Sequence, residues 1–192
     1  MWPARILLTI AQPLGLIVFR PRVHGRRHIP ARGGVVVAPI HLSGFDSLAV
    51  AHVLWPRVPR MMGKNQLFHR PRLGSFIRGL GAFPARAEED MPGGVTAAAW
   101  LAAGGEPVVI FPEGARRRGR AHRLRTGAAR TALTAGVPLV PTALRGTDGW
   151  RRLRRWEIAI GPPVPLDGLT PADAGEATRR LADAIEALEA SL

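Results

Sequence analysis

The chain contains no cysteine and no tyrosine. The first absence excludes disulfides, zinc–thiolate sites and a cysteine nucleophile, and it fits a reducing compartment. The second, together with the lack of a helix-turn-helix or an RNA-binding aromatic pattern, argues against nucleic acid as a partner. A long apolar run is also missing. The N-terminal stretch ARILLTIAQPLGLIVFR is apolar over about sixteen residues but is interrupted by Pro13 and Gly15. Roughly twenty uninterrupted apolar residues are needed to cross a bilayer. No small-residue cleavage site follows, which weakens a signal-peptide reading. Two readings remain for this segment: a helix on the core, or one lying in a membrane interface with Trp2 and Phe19 as anchors and Arg5, Arg20 and Arg22 beside them.

Acidic residues are scarce. Lys and Arg number 27 against 14 Asp and Glu, a formal net charge of +13, and nearly all the positive charge is arginine. Residues 171–192 hold five of the acids and only two arginines, so the rest of the chain carries 25 basic against 9 acidic residues. Such a surface seeks anions: nucleic acid, anionic lipid headgroups, phosphorylated small molecules or an acidic carrier protein. A length of 192 residues and 46% hydrophobic content fit one globular domain with a sizeable core.

Strand and helix signals alternate along the chain. GGVVVAPI (33–40) is a β-branched run bounded by glycine, and DSLAVAHVLW (46–55) has helical spacing. A strand is expected over 58–65, a helix over 73–81, a brief strand over 82–86 and an alanine-rich helix over 93–105. PVVIFPEG (107–114) reads as a strand, TGAARTALTAG (126–136) as a glycine-capped helix, and VPLVPTAL and WEIAIGPPVP (156–165) as strands. The prolines bracketing VPLVP suggest an edge strand or one that bends. The last helix opens with Thr170 as N-cap and Pro171 at its first position, and Leu181, Ile185 and Leu188 form its apolar stripe. This alternation predicts a single α/β domain with a mainly parallel sheet flanked by helices, in which loops leaving the C-terminal ends of strands hold the chemistry.

Two such loops stand out. In PIHLSGFD, His41 and Asp46 are five residues apart, about 140° around an ideal helix, so they meet only if the backbone turns between them. Ser43 and Gly44 permit that turn, and Asp46 suits the start of the following helix. A carboxylate accepting from one imidazole nitrogen leaves the other as a base. The alternative for this loop alone is a strand-end histidine satisfied by backbone and a helix-capping aspartate. In FPEGARRRGR, Arg116, Arg117, Arg118 and Arg120 stand beside a tight turn, where guanidinium forks match phosphate oxygens; a solvated basic loop is the alternative. GAFPAR adds one positive charge, Arg86.

The order HLSGFD, GAFPAR, FPEGARRR, VPLVP resembles the four sequence blocks of the PlsC-type 1-acylglycerol-3-phosphate acyltransferases. The intervening Lys64…Leu67-Phe68, Leu73-Gly74 and Thr126-Gly127-Ala128 are similar as well, and the resemblance runs from about residue 23 to 165. With the apolar, arginine-flanked N-terminus read as a membrane-interface segment over 1–22, the resemblance implies a catalytic domain over 23–192. It implies that His41 is a general base oriented by Asp46, moving a fatty acyl group from acyl-CoA or acyl-carrier protein to the free hydroxyl of a lysophospholipid and forming phosphatidic acid. Arg86, Glu113, Gly114 and Arg116 match positions associated with the phosphorylated acceptor, the glutamate positioning an arginine or the glycerol hydroxyls. Pro138 and Pro141 match the fourth block. No metal, no cofactor beyond the acyl donor and no acyl-enzyme are implied, and an attacking Ser43 would be an unusual choice. The implied location is peripheral, on the cytoplasmic face of the cell membrane, against an anionic surface. Ala115 departs from the threonine usual in the third block, which keeps open another acceptor: glycerol-3-phosphate, another lysophospholipid or an amino-acid lipid. A non-catalytic basic module for membrane or nucleic acid is the reading from a different class.

Overall fold

The computed structural model describes residues 17–85, 93–116 and 124–192. Seven strands form one sheet: β1 (Arg22–His24), β2 (Val35–Pro39), β3 (Arg60–Gly63), β4 (Ala82–Pro84), β5 (Pro107–Val109), β6 (Leu139–Arg145) and β7 (Glu157–Ile160). Their spatial order is β1-β7-β6-β2-β5-β3-β4. Every neighbouring pair is parallel except β6 with β7, which is antiparallel. Among the described residues, six α-helices of four residues or more connect or cover the strands: α1 (Asp46–Leu54), α2 (Asn65–Phe68), α3 (Pro71–Gly79), α4 (Gly94–Ala103), α5 (Gly127–Ala135) and α6 (Ala174–Ser191).

β2 explains the architecture. All five of its residues, Val35 to Pro39, are buried, as a central parallel strand covered on both faces requires. α4 packs on α5, and α5 on α6, making one helical layer. The chain steps in the opposite direction across the sheet from β2 to β3 and from β3 to β4, so right-handed crossovers put α1 and α3 on the other face. Leu181 and Ile185 of α6 are buried in the core and Leu188 packs against it, the predicted stripe. The predicted start of this segment is also present. The Thr170 and Asp173 side chains form a capping box over a short 3-10 turn that leads into α6.

Two features correct the sequence reading. The short β1 was not foreseen; it pairs with β7, and just before it Phe19 stacks on the buried Trp156 ring at 4.1 Å. Phe19 is therefore held against the domain rather than standing free as an anchor, while the rest of the proposed interface segment, residues 1–16, lies outside the described residues. The second concerns VPLVP. β6 is an interior strand, flanked by β2 and β7, not an edge. Pro141 is tolerated because its carbonyl accepts from Gly161 N at 3.0 Å, on the side where the β6–β7 ladder begins only at Thr142. The missing N–H points to that same side, beyond the end of the ladder.

Gly34 shows how tightly the base of the sheet is packed. A Cβ there would lie 1.9 Å from the Ala102 carbonyl oxygen at the end of α4. Only glycine lets β2 start so close to that helix.

Candidate active site

The apolar β2 strand ends at Pro39, and the chain turns at once into Leu42–Phe45 before α1 begins at Asp46. Ser43 shapes the turn, its Oγ accepting from Phe45 N at 3.0 Å. The carboxylate of Asp46, fully buried, closes it from the other side. Its Oδ2 accepts from Leu42 N at 2.6 Å and Ser43 N at 2.7 Å. The same oxygen lies 2.9 Å from His41 Nδ1. An ionised carboxylate only accepts, so Nδ1 carries the proton of this contact and Nε2 is the nitrogen left with a lone pair. The five-residue separation is thus bridged by a turn that folds the histidine back over the helix start. His41 keeps 19% of its side chain exposed, enough to be reached from outside, while its partner is not exposed at all.

β5 supplies the second wall. It is parallel to β2 and adjacent to it, so the loops after the two strands emerge side by side. Phe111 stacks on the His41 ring with centroids 4.2 Å apart. Glu113 Oε2 accepts from the His41 backbone N–H at 2.8 Å. The glutamate therefore braces the histidine's backbone, a contact the sequence did not announce. Gly114 adopts a left-handed conformation with φ 70°, and a Cβ there would lie 2.8 Å from Arg125 Nε. Arg125 itself donates its backbone N–H to Pro112 O at 2.7 Å, tying the far side of this loop to its start. Arg116 reaches back toward the first loop: a Cβ on Gly44 would stand 3.4 Å from its Nη2. A guanidinium is thereby carried to the loop that holds the imidazole.

β6 contributes the third element, since it runs parallel to β2 on the other side. The Thr147 carbonyl beyond its end accepts from Ser43 Oγ at 2.9 Å. The serine hydroxyl is thus engaged in holding two loops together, consistent with a scaffold position rather than an attacking one.

The structure brings His41, Asp46, Glu113, Gly114 and Arg116 together at one end of the sheet. Arg86, Arg117, Arg118 and Arg120 lie outside the described residues. Pro138 is not part of the cluster. It precedes β6 and its carbonyl accepts from Val36 N at 2.9 Å, so it sits at the opposite end of the strands. Five residue steps, from Val35 to Ile40, separate that level from the His41 loop, about 16 Å at the usual strand rise. Pro141, aligned with Ala38, lies within the sheet below the site. Sequence reasoning missed Phe111, Arg125 and Thr147. Phe111 sits directly before the Pro-Glu-Gly turn and was legible as a strand-end aromatic; the other two become relevant only through contacts distant along the chain.

Among the described residues, no group of three or more His, Asp or Glu side chains is arranged to hold a metal ion, and no helix is long and apolar enough to cross a membrane.

Known proteins share the sequence pattern and the fold. The acyltransferase family profile matches residues 20–145. The 1-acyl-sn-glycerol-3-phosphate acyltransferase of Bacillus subtilis is 30% identical over 146 residues, covering 74% of this chain and 73% of the relative. The human 1-acyl-sn-glycerol-3-phosphate acyltransferase alpha is 30% identical over 166 residues, 80% of this chain and 58% of that protein. Among solved structures, the Thermotoga maritima lysophosphatidic acid acyltransferase PlsC superposes with a TM-score of 0.72 at 21% identity, covering 97% of this chain and 80% of that one, and so shares the fold. On the family match and the coverage of its relatives, this chain belongs to the acyltransferase family of enzymes.

Proposed function

We propose that the chain transfers a fatty acyl group from a thioester donor, acyl-CoA or acyl-carrier protein, to the free hydroxyl of 1-acylglycerol-3-phosphate, yielding phosphatidic acid. The observation that carries the reading is the 2.9 Å contact between His41 Nδ1 and the buried Asp46 carboxylate, with the Arg116 guanidinium beside the same loop. His41 Nε2 takes the proton from the acceptor hydroxyl as its oxygen attacks the thioester carbonyl. The tetrahedral intermediate collapses with cleavage of the C–S bond, and the imidazolium returns the proton to the departing thiolate. Asp46 holds the tautomer and stabilises the imidazolium charge. Arg116, with Arg86, binds the acceptor phosphate, and Glu113 keeps the histidine backbone in place. The enzyme works peripherally at the cytoplasmic face of an anionic membrane. The names of the relatives from Bacillus subtilis and human support this choice of acceptor.

Ala115 favours a second reading, the same transfer to another acceptor, because the loop that carries Arg116 has no hydroxyl at that position. One assay separates the two. Purified protein is incubated with labelled acyl-CoA or acyl-carrier protein and a panel of lysolipids and glycerol-3-phosphate, and products are read by mass spectrometry. Phosphatidic acid as the main product, lost in His41→Ala, is the expected result. A different acylated product supports the second reading, and turnover surviving His41→Ala refutes both.

A further inference from the structure

The region following β3 has an unusual surface. Six large hydrophobic side chains are exposed among the described residues, and three of them, Leu67, Leu73 and Phe76, fall within ten residues of α2 and α3 at 44%, 36% and 55% exposure. Leu73 and Phe76 are three apart on α3 and share a face. Arg70 and Arg72 stand exposed between Leu67 and Leu73, and Arg78 lies over the Phe68 ring at 5.1 Å. Acids are missing. Between Asp46 and Glu88 the sequence has seven Arg and Lys residues and no Asp or Glu.

The position of this patch matters as much as its chemistry. β2 and β3 are both parallel to β5, so α2, which follows β3, leaves the same end of the sheet as the His41 loop, which follows β2. α3 begins at that end and runs back along the sheet toward the start of β4. Apolar side chains interspersed with arginines, in a segment without acids, match the interfacial zone of a bilayer, where acyl chains meet anionic headgroups. A protein partner of opposite charge would satisfy the arginines but gives no reason for three uncovered apolar side chains among them.

We propose that α2 and α3 form a docking surface for an anionic bilayer, with Leu67, Leu73 and Phe76 entering the interface and Arg70 and Arg72 meeting lipid phosphates. It is separate from the N-terminal segment and places the His41 end of the sheet at the membrane surface. Its purpose rests on the lipid-acceptor reading, but its test does not, because binding is measured without turnover.

The absence of cysteine makes a site-specific probe straightforward. Full-length protein carrying Phe76→Cys is labelled with an environment-sensitive fluorophore. Ala103→Cys, exposed at the end of α4 and so at the opposite end of the sheet, serves as control. Phosphatidylglycerol vesicles should shift the label at position 76 to the blue and leave that at 103 unchanged; neutral phosphatidylcholine vesicles should affect neither. In co-sedimentation, Leu73→Ser/Phe76→Ser should weaken binding to anionic vesicles at least tenfold. Arg70→Glu/Arg72→Glu should weaken it by a further order beyond the roughly fivefold expected for each arginine simply removed. Melting curves confirm that the variants fold, and turnover on a monomeric short-chain substrate should stay at the wild-type level for Leu73→Ser/Phe76→Ser. Wild-type sedimentation by both double variants overturns the proposal. So does a dimer that Phe76→Ser disperses without change in vesicle affinity, which would make the patch a contact between two copies of this chain.

Discussion

Asp46→Asn separates the chemistry of the site from its folding. In the native protein one carboxylate oxygen accepts three N–H groups, from His41 Nδ1, Leu42 and Ser43. An asparagine oxygen at the same place accepts the same three, so the turn survives and only the charge is lost. A neutral amide is also easier to bury than a carboxylate. The net change in stability should therefore stay within about 1 to 2 kcal/mol. The effect on catalysis is larger. When His41 takes a proton, its positive charge forms about 4 Å from the carboxylate, worth about 4 kcal/mol at the effective dielectric of a site near the surface. Partial proton transfer at the transition state and the exposed edge of the imidazole reduce this to roughly 3 kcal/mol, which lowers kcat about a hundredfold or more. KM should move little, since Asp46 is fully buried and out of reach of a substrate. Asp46→Ala gives the contrast: it leaves the Leu42 and Ser43 N–H groups without their acceptor, at about 1 to 3 kcal/mol each, and should melt well below Asp46→Asn. Initial rates with a labelled donor and thermal melts of both variants decide the matter. An Asp46→Asn enzyme within threefold of wild-type kcat would show that the carboxylate has no electrostatic part in the reaction.

Three further outcomes can be checked. Arg116→Ala should raise KM for a phosphorylated acceptor roughly ten- to a hundredfold, the value of one charge-assisted hydrogen bond to phosphate, while Arg116→Lys restores part of it; an unchanged KM removes Arg116 from the phosphate site. Gly34→Ala forces a Cβ to within 1.9 Å of the Ala102 carbonyl oxygen, so β2 or α4 must shift. The cost should be about 3 kcal/mol and the melting temperature should fall by roughly 6 to 12 °C; a melt within 2 °C of wild type would mean the contact yields freely. Finally, burial and then the Arg26 guanidinium hold the His52 imidazole below its ordinary 6.5. The unfolded chain takes up this proton first on acidification, so stability is lost as pH falls through about 6.5 and the loss levels off below the folded value. Denaturant midpoints from pH 8 to 5 should fall less steeply for His52→Gln than for wild type, and parallel curves would refute the assignment.

Much of the fold was legible because local physics and the final packing agree. A run such as Val35-Val36-Val37, bounded by glycine, has one good solution, an interior strand covered on both faces. Most helices were legible for the same reason, through spacing at α1 and α4, the Gly136 stop at α5 and Thr170 with Pro171 before α6, whereas the four-residue α2 was not. Disagreement arose where pairing, not local preference, decides. β1 is three residues of no distinctive pattern, and only its ladder with β7 makes it a strand. Pro141 reads as an edge signal, yet it sits in an interior strand because the neighbouring ladder starts one residue later.

The candidate site divides along the same line. His41 and Asp46, and the turn-forming Ser43 and Gly44 between them, were readable as a unit, because residues so close in the chain can meet only through a few backbone conformations. The Glu113 brace on the His41 backbone, the Phe111 ring against the imidazole and the Thr147 carbonyl under Ser43 were not. Sequence by itself determined the alternation of strands and helices, the basic surface and the closeness of His41 to Asp46, since each follows from side-chain chemistry and short-range geometry. Only the tertiary structure decided which loops stand beside that pair. That depends on strand order and register, in which β2 takes β5 on one side and β6 on the other, and these are chosen by the burial of the whole sheet rather than by any one segment.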